Sequence, residues 1–258
     1  MRPARHVLAA LVAVSLGAGA ICLPAGQACA AVIGINFVGK GGYYTSAMGP
    51  AESAGVAPYT QAHWNNATSG CGSFSNLCDA DGLVTGVSAE WKGEAWYNGG
   101  ITDTAGNECM MRGLVQDIGL EDAEPLWVTV SGLGTWFTNG HYDVIVYFDR
   151  NESAVFCFTI ADQTIWGHDT GGDFGDDGDS TSASFLEAAG SDAAGATSGN
   201  YVRFSGLTAP AFTLNAVSQG VEATINGLQI VHVPEPVTFS FLTAGLAGLL
   251  LAARKRAA

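Results

Sequence analysis

The stretch LWVTVSGLGTWFTNGHYDVIVYFDRNESAVFCFTI, residues 126–160, decides the fold class. It holds three short runs, LWVTVSGL from Leu126, YDVIVYFD from Tyr142 and AVFCFTI from Ala154, bounded by Gly, Asn and Asp. β-Branched and aromatic side chains lose rotamer freedom in a helix but pack well on a pleated surface, and Gly, Asn and Asp turn the chain between strands. The intervals carry no helical periodicity, so the three runs read as strands joined by turns.

The same pattern extends in both directions. AVIGINFV from Ala31 and LVTGVSAEW from Leu83 precede the central stretch, and YVRFSGL from Tyr201, AFTLNAV from Ala211 and ATINGLQIVHV from Ala223 follow it. At least eight strands predict an all-β fold, a single antiparallel β-sandwich over residues 31–232. The preferred architecture is a jelly roll resembling the galactose-binding-like and carbohydrate-binding modules. In its last strand Ile225, Leu228 and Ile230 are apolar, and Asn226-Gly227 permits a turn or bulge.

Composition agrees with a globular β domain. Of 258 residues 48% are hydrophobic, 13% are charged and 35 are glycine. The net charge of −14 argues against nucleic acid as a partner, because phosphate recognition needs clustered Lys and Arg. The charge is also unevenly placed. Arg2 and Arg5 open the chain and Arg254, Lys255 and Arg256 nearly close it, leaving Lys40, Lys92, Arg112, Arg150 and Arg203 against all 24 acids in between, about −19. Such a segment suits divalent cations or neutral glycans better than polyanions.

The two ends read as addresses. Residues 1–30 have a basic start, an apolar run from Val7 to Ala20 and a small-residue cleavage site at Ala28-Cys29-Ala30, the pattern of a secretory signal peptide. Near the other end VTFSFLTAGLAGLLLAA, from Val237 to Ala253, has no charge and is followed by Arg254-Lys255-Arg256. As a helix it would span about 25 Å, enough for a bilayer core, with the basic cluster held on the cytoplasmic side.

Immediately before it stands Val233-Pro234-Glu235-Pro236. A VPEP tetrad, one apolar helix and a terminal basic cluster, in that order, resemble the PEP-CTERM sorting signal of exported proteins in Gram-negative bacteria. The resemblance covers residues 233–258. It implies transient inner-membrane anchoring, processing by an exosortase-type transpeptidase and delivery to the cell surface or beyond, typically in bacteria that make exopolysaccharide. Pro234, Glu235 and Pro236 are then recognition residues, and two prolines in three positions also enforce an extended, protease-accessible backbone. Within the ectodomain AGVAPYTQAHWNN, MMRG, YDVIVYFD and INGLQIV look like a recurrent ectodomain type among PEP-CTERM proteins. That likeness carries over no functional residue.

With the signal removed four cysteines remain, Cys71, Cys78, Cys109 and Cys157. An even number in an exported chain favours disulfides, and four cysteines allow three connectivities. The short Cys71 to Cys78 separation points to a local loop staple, leaving Cys109 for Cys157. No CxxC pair or nearby His supports zinc instead.

Two features carry candidate chemistry. The run from His168 to Ser180 sets Asp169, Asp173, Asp176, Asp177 and Asp179 among glycines. Five carboxylates so close repel one another unless they are solvated or share a cation, and calcium, with six to eight oxygen ligands, suits them. The stretch is not an EF-hand loop, and a solvated hairpin tip is the plain alternative. The six tryptophans, Trp64, Trp91, Trp96, Trp127, Trp136 and Trp166, serve a core or offer faces for sugar rings. Trp64 beside Asn65 and Asn66, and Trp96 beside Tyr97 and Asn98, have polar neighbours that favour exposure and sugar stacking.

Enzymatic signatures such as GxSxG, HExxH or a phosphate loop do not occur. His63, His141, His168 and His232 are scattered, and the carboxylate pairs Glu90/Glu94 and Asp143/Asp149 are of a kind any sandwich offers. The expectation is an exported, surface-sorted, non-enzymatic component of the extracellular matrix or biofilm, or an adhesin. The alternative is a carbohydrate-binding module for exopolysaccharide.

Overall fold

A computed structural model describes residues 31–39, 47–98, 100–101, 105–118, 125–137, 141–171, 174 and 184–233. Both address segments therefore lie outside the described residues, the tetrad's Val233 excepted. Among the described residues no helix is long and apolar enough to cross a membrane.

The fold is all-β. In chain order the elements are β1 (Val32–Phe37), β2 (Asn65–Ala67), β3 (Cys71–Phe74), β4 (Ser88–Lys92), β5 (Glu94–Tyr97), α1 (Asn107–Arg112), β6 (Gly113–Gln116), β7 (Leu126–Ser131), α2 (Leu133–Trp136) and β8 (His141–Tyr147). They continue with β9 (Ala154–Ile160), β10 (Gln163–Asp169), β11 (Thr197–Ser198), β12 (Tyr201–Leu207), β13 (Ala211–Gln219), β14 (Thr224–Ile225) and β15 (Gly227–Val233). A five-stranded sheet runs β12-β8-β15-β1-β2, a seven-stranded sheet β11-β10-β9-β13-β7-β4-β3, and a three-stranded sheet β14-β6-β5.

The central stretch of sequence supplies a strand to each layer in turn. β7 and β9 lie in the seven-stranded sheet and β8 in the five-stranded one. Inward residues of both sheets form one core, with Ile35, Val144, Val146, Leu228 and Ile230 from the five-stranded sheet meeting Val128, Val130, Phe158 and Leu214 from the other. Phe148 closes it, its ring 5.1 Å from Phe158 and 5.3 Å from Phe156. Full burial of one such side chain is worth about 1.5–3 kcal/mol.

The pairing is antiparallel except at two edges, where β1 pairs with β2 and β10 with β11 in parallel. Parallel neighbours need long crossovers, and both pairs have them. The first crossover does structural work of its own. It lays Met48, Ala54 and Trp64 on the outer face of the five-stranded sheet, where Met110 and Met111 of α1 join Val32, Ile145, Tyr147 and Val231 in a second apolar cluster. Hydrogen bonds fasten this cover. The Tyr147 hydroxyl donates to Gln229 Oε1 and accepts from the Val56 N–H at 2.9 Å, and Gln229 Nε2 donates to the Tyr59 carbonyl at 2.9 Å. The Glu52 carboxylate accepts from Gly49 N–H at 2.9 Å and from Gly106 N–H at 2.5 Å, tying the crossover to the approach to α1. Gly34 is required beneath it, since a Cβ there would sit 2.7 Å from the Trp64 ring.

Three expectations change. Of LVTGVSAEW only its last four residues lie in a strand, β4, which continues to Lys92, while Leu83 and Val84 are exposed. Asn226 does more than bend the last strand: it divides ATINGLQIVHV into β14 of the three-stranded sheet and β15 of the five-stranded one. The disulfides are not formed, and all four cysteines are unbridged. Cys71 pairs with Lys92 at one end of β4, whereas Leu77, next to Cys78, bonds Val87 beyond its other end. At about 3.3 Å per residue that places the supposed staple about 16 Å apart, well past disulfide reach. Cys109 belongs to the cluster outside the five-stranded sheet. Cys157 lies on β9 between Phe156 and Phe158, which face the core, so it points to the outer side of the seven-stranded sheet. Both sheets therefore stand between Cys109 and Cys157.

Candidate functional site

The expected stacking residues separate. Trp64 is buried at 5% exposure, donates its indole N–H to the Gln61 carbonyl at 3.1 Å and meets Tyr147 edge-on at 6.4 Å. Asn65 and Asn66, which suggested exposure, spend their amides on backbone. Asn65 donates to the Gly34 and Cys78 carbonyls, and Asn66 donates to the Met48 carbonyl and accepts from its N–H. Trp64 is thus part of the cover, whereas Trp96 is 44% exposed and stays a candidate for stacking.

Trp96 stands on β5, opposite Leu114 of β6, and its neighbour Tyr97 stands opposite Gly113. With no side chain on Gly113, the Tyr97 ring lies nearly parallel to the Trp96 ring, centroids 6.1 Å apart and planes inclined at 21°. Gly39, at φ 84°, lets the end of the first strand pass directly over the Trp96 carbonyl, where any Cβ would collide. The indole is therefore presented from a braced backbone.

Beside this aromatic pair opens a cleft of about 270 Å³, lined by Asn98, Leu114, Gln116, Arg150, Asn151 and Glu152 as well as the two rings. Its floor is rigid. Asn98 is buried, takes the Arg112 carbonyl with its N–H at 2.7 Å, and donates Nδ2 to Asp149 Oδ2 at 2.7 Å. Asp149 N–H donates to Asn226 Oδ1 at 2.7 Å, and Asn226 Nδ2 donates to the Met111 carbonyl at 2.6 Å. Arg150 is held from two sides: Nη2 pairs with Glu222 Oε2 at 2.7 Å, and its N–H donates to Asp169 Oδ2 at 2.7 Å. An aromatic platform beside amide, guanidinium and carboxylate groups can take the apolar face of a ring and hydrogen-bond the hydroxyls at its rim.

Of the five candidate calcium ligands the described residues include Asp169. It is buried at the end of β10, and its two oxygens accept from the backbone N–H groups of Arg150 and Gly171, at 2.7 and 3.1 Å. It anchors the start of the acidic loop. Asp173, Asp176, Asp177 and Asp179 lie outside the described residues, and among those described no three His, Cys, Asp or Glu groups gather to hold a metal. Of the candidate acid pairs, Asp143 is bonded to Arg203 at 2.5 Å and to Gly206 N–H at 2.9 Å, while Asp149 serves the cleft floor.

Sequence reasoning missed Gln116, Arg150, Asn151 and Glu152. They come from two separate parts of the chain, and only the pairing of β5 with β6 and the turn after β8 unite them with Trp96. The asparagine flanking Trp96 and Tyr97 was the one local signal.

No family model and no curated protein matches this chain. Among solved structures, Bacteroides uniformis β-glucuronidase 2, covalently bound to cyclophellitol-6-carboxylate aziridine, is similar with a TM-score of 0.33 and 8% identity, over 70% of this chain and 18% of that one.

Proposed function

We propose that the protein is an exported, surface-sorted, non-enzymatic component of the extracellular matrix that holds exopolysaccharide in the Trp96 cleft. The observation that carries the binding role is the exposed Trp96 ring aligned with Tyr97 at the mouth of a cleft with a hydrogen-bonded floor. A preformed apolar face with a few fixed polar groups is what a neutral sugar ring needs, and it asks for no cluster of positive charge.

The sorting role rests on the order of VPEP tetrad, apolar segment and basic cluster at residues 233–256. β15, the last described strand, runs to Val233, the first residue of the tetrad, so the recognition motif begins at the edge of the ectodomain. We read the sandwich itself as a jelly roll of the galactose-binding-like kind. Support comes from successive strands passing between the two large sheets, as β7, β8 and β9 do.

Electrophoresis of the full chain through gels containing soluble exopolysaccharide tests the binding role. The wild type should be retarded and Trp96→Ala should migrate as in a blank gel; equal migration of the two would defeat the proposal. For sorting, Glu235→Ala should leave an uncleaved chain in the membrane fraction, and unchanged processing would remove the exosortase reading.

A further inference from the structure

The seven-stranded sheet has a second surface that the Trp96 cleft does not use. Burial alternates strictly along β7 and nearly so along β13, so their outward residues stay accessible, with Thr213 exposed and Val217 at 45%. Charge is almost absent here. Apart from the imidazole of His168, the seven strands carry only Glu90, Lys92 and the buried Asp169, so the outward charges cancel on a chain whose net charge is −14.

What the face offers instead is hydroxyls and indoles. Thr129 and Thr213 meet across β7 and β13 at 2.8 Å, Ser88 and Ser131 across β4 and β7 at 2.8 Å, and Thr159 and Thr164 across β9 and β10 at 3.4 Å. Each hydroxyl is both donor and acceptor, and half-buried Trp127 and Trp166 flank the rows. Their side follows from register: Trp127 pairs with outward Asn215 of β13, and Trp166 pairs with Cys157 of β9. β13 and β9 lie between them, which at about 4.8 Å per strand sets the two indoles about 14 Å apart across the sheet. Trp127 also borders a shallow hollow with Ser73, Glu90 and Lys92.

We propose that this face binds the extended chains of an insoluble, uncharged polysaccharide. Charge selects the occupant. A polyanion would meet repulsion from the surrounding acidic chain with no cationic patch to offset it, and a polycation would prefer the acidic surface elsewhere. An uncharged polyhydroxyl polymer matches a surface that is itself uncharged, hydroxyl-rich and broad, with the indoles taking the apolar faces of successive rings. The Trp96 cleft lies on the separate three-stranded sheet, so the two sites stand or fall independently.

Co-sedimentation of the full chain, in mild detergent, with microcrystalline cellulose and with insoluble chitin tests this. Pelleting with one of these uncharged polymers is expected, undiminished by about 1 M NaCl because no ion pair is made. The Trp127→Ala/Trp166→Ala double variant should bind roughly tenfold more weakly, whereas Trp96→Ala should pellet like the wild type. Thr213→Glu, at an exposed position that leaves the core untouched, should weaken binding in the same direction and guards against misfolding of the tryptophan variants. Failure to pellet with either polymer, release by salt, or pelleting of both the double variant and Thr213→Glu at the wild-type level would overturn the proposal.

Discussion

The two large sheets share one core yet treat their outer faces in opposite ways. Every residue of β1 is buried and six of the seven in β8 are, because the crossover and α1 cover the five-stranded sheet from outside. In the seven-stranded sheet β7 alternates buried with half-buried residues. The covered sheet gains a second apolar layer but must bury polar groups with it, and each of these needs a partner. Asp143, Asp149, Asn226, Gln229 and Tyr147 are that polar equipment. On the strands of the open sheet the buried polar side chain is Asp169, held by two backbone N–H groups, and the outward residues leave an accessible surface.

The comparison can be broken first at high pH. Tyr142 and Tyr201 are pushed up to about 12 and Tyr147 further still, in each case mainly because burial disfavours the phenolate. All three stand on β8 and β12 of the covered sheet, and the strands of the open sheet contain no tyrosine. The free phenol titrates near 10, so the raised folded values contribute stability that is intact below pH 10 and falls as pH rises through 12. By pH 11 part of that stability is gone, visible as a lower urea midpoint at pH 11 than at pH 9. An unchanged midpoint would mean the tyrosines are not buried in the native state.

Next in size is truncation of the outer layer. Ile145→Ala should cost about 3 kcal/mol in equilibrium unfolding, as for a core residue, because Ile145 is fully buried beneath the cover. Asn226→Ala should cost about 2 kcal/mol by stranding the Asp149 N–H and the Met111 carbonyl. The smallest effect belongs to the open sheet, where Val217→Ala should stay within about 0.5 kcal/mol of wild type. Equal costs for Ile145→Ala and Val217→Ala would erase the distinction between the two outer faces.

The strands of the covered sheet were the most legible part of the sequence, since double burial leaves an uninterrupted apolar run such as VIVYF, residues 144–148, which local pattern detects. β10 was harder. Gln163, Thr164 and His168 dilute its apolar signal, and the two-residue turn that sets it beside β9, Ala161-Asp162, has neither Gly nor Asn to mark it although Ala161 is at φ 53°. Trp64 and Trp96 show the limit most clearly. Both have asparagine neighbours, yet one ends a crossover that lies over Gly34 and packs on Tyr147, and the other stands on a short strand whose partner opposite Tyr97 is a glycine. Likewise AGVAPYTQAHWNN and INGLQIV stand out as motifs, but Asn65, Asn66 and Gln229 in them fasten the cover.

The central claim, that Trp96 forms part of a glycan site, is tested most directly by probing one glycan array with the full chain and with Trp96→Ala. The wild type should bind soluble oligosaccharides of exopolysaccharide type, and Trp96→Ala should lose roughly tenfold or more in affinity for the same spots while unfolding at the same urea concentration. Absence of binding by the wild type, or binding by Trp96→Ala at the wild-type level, would contradict it.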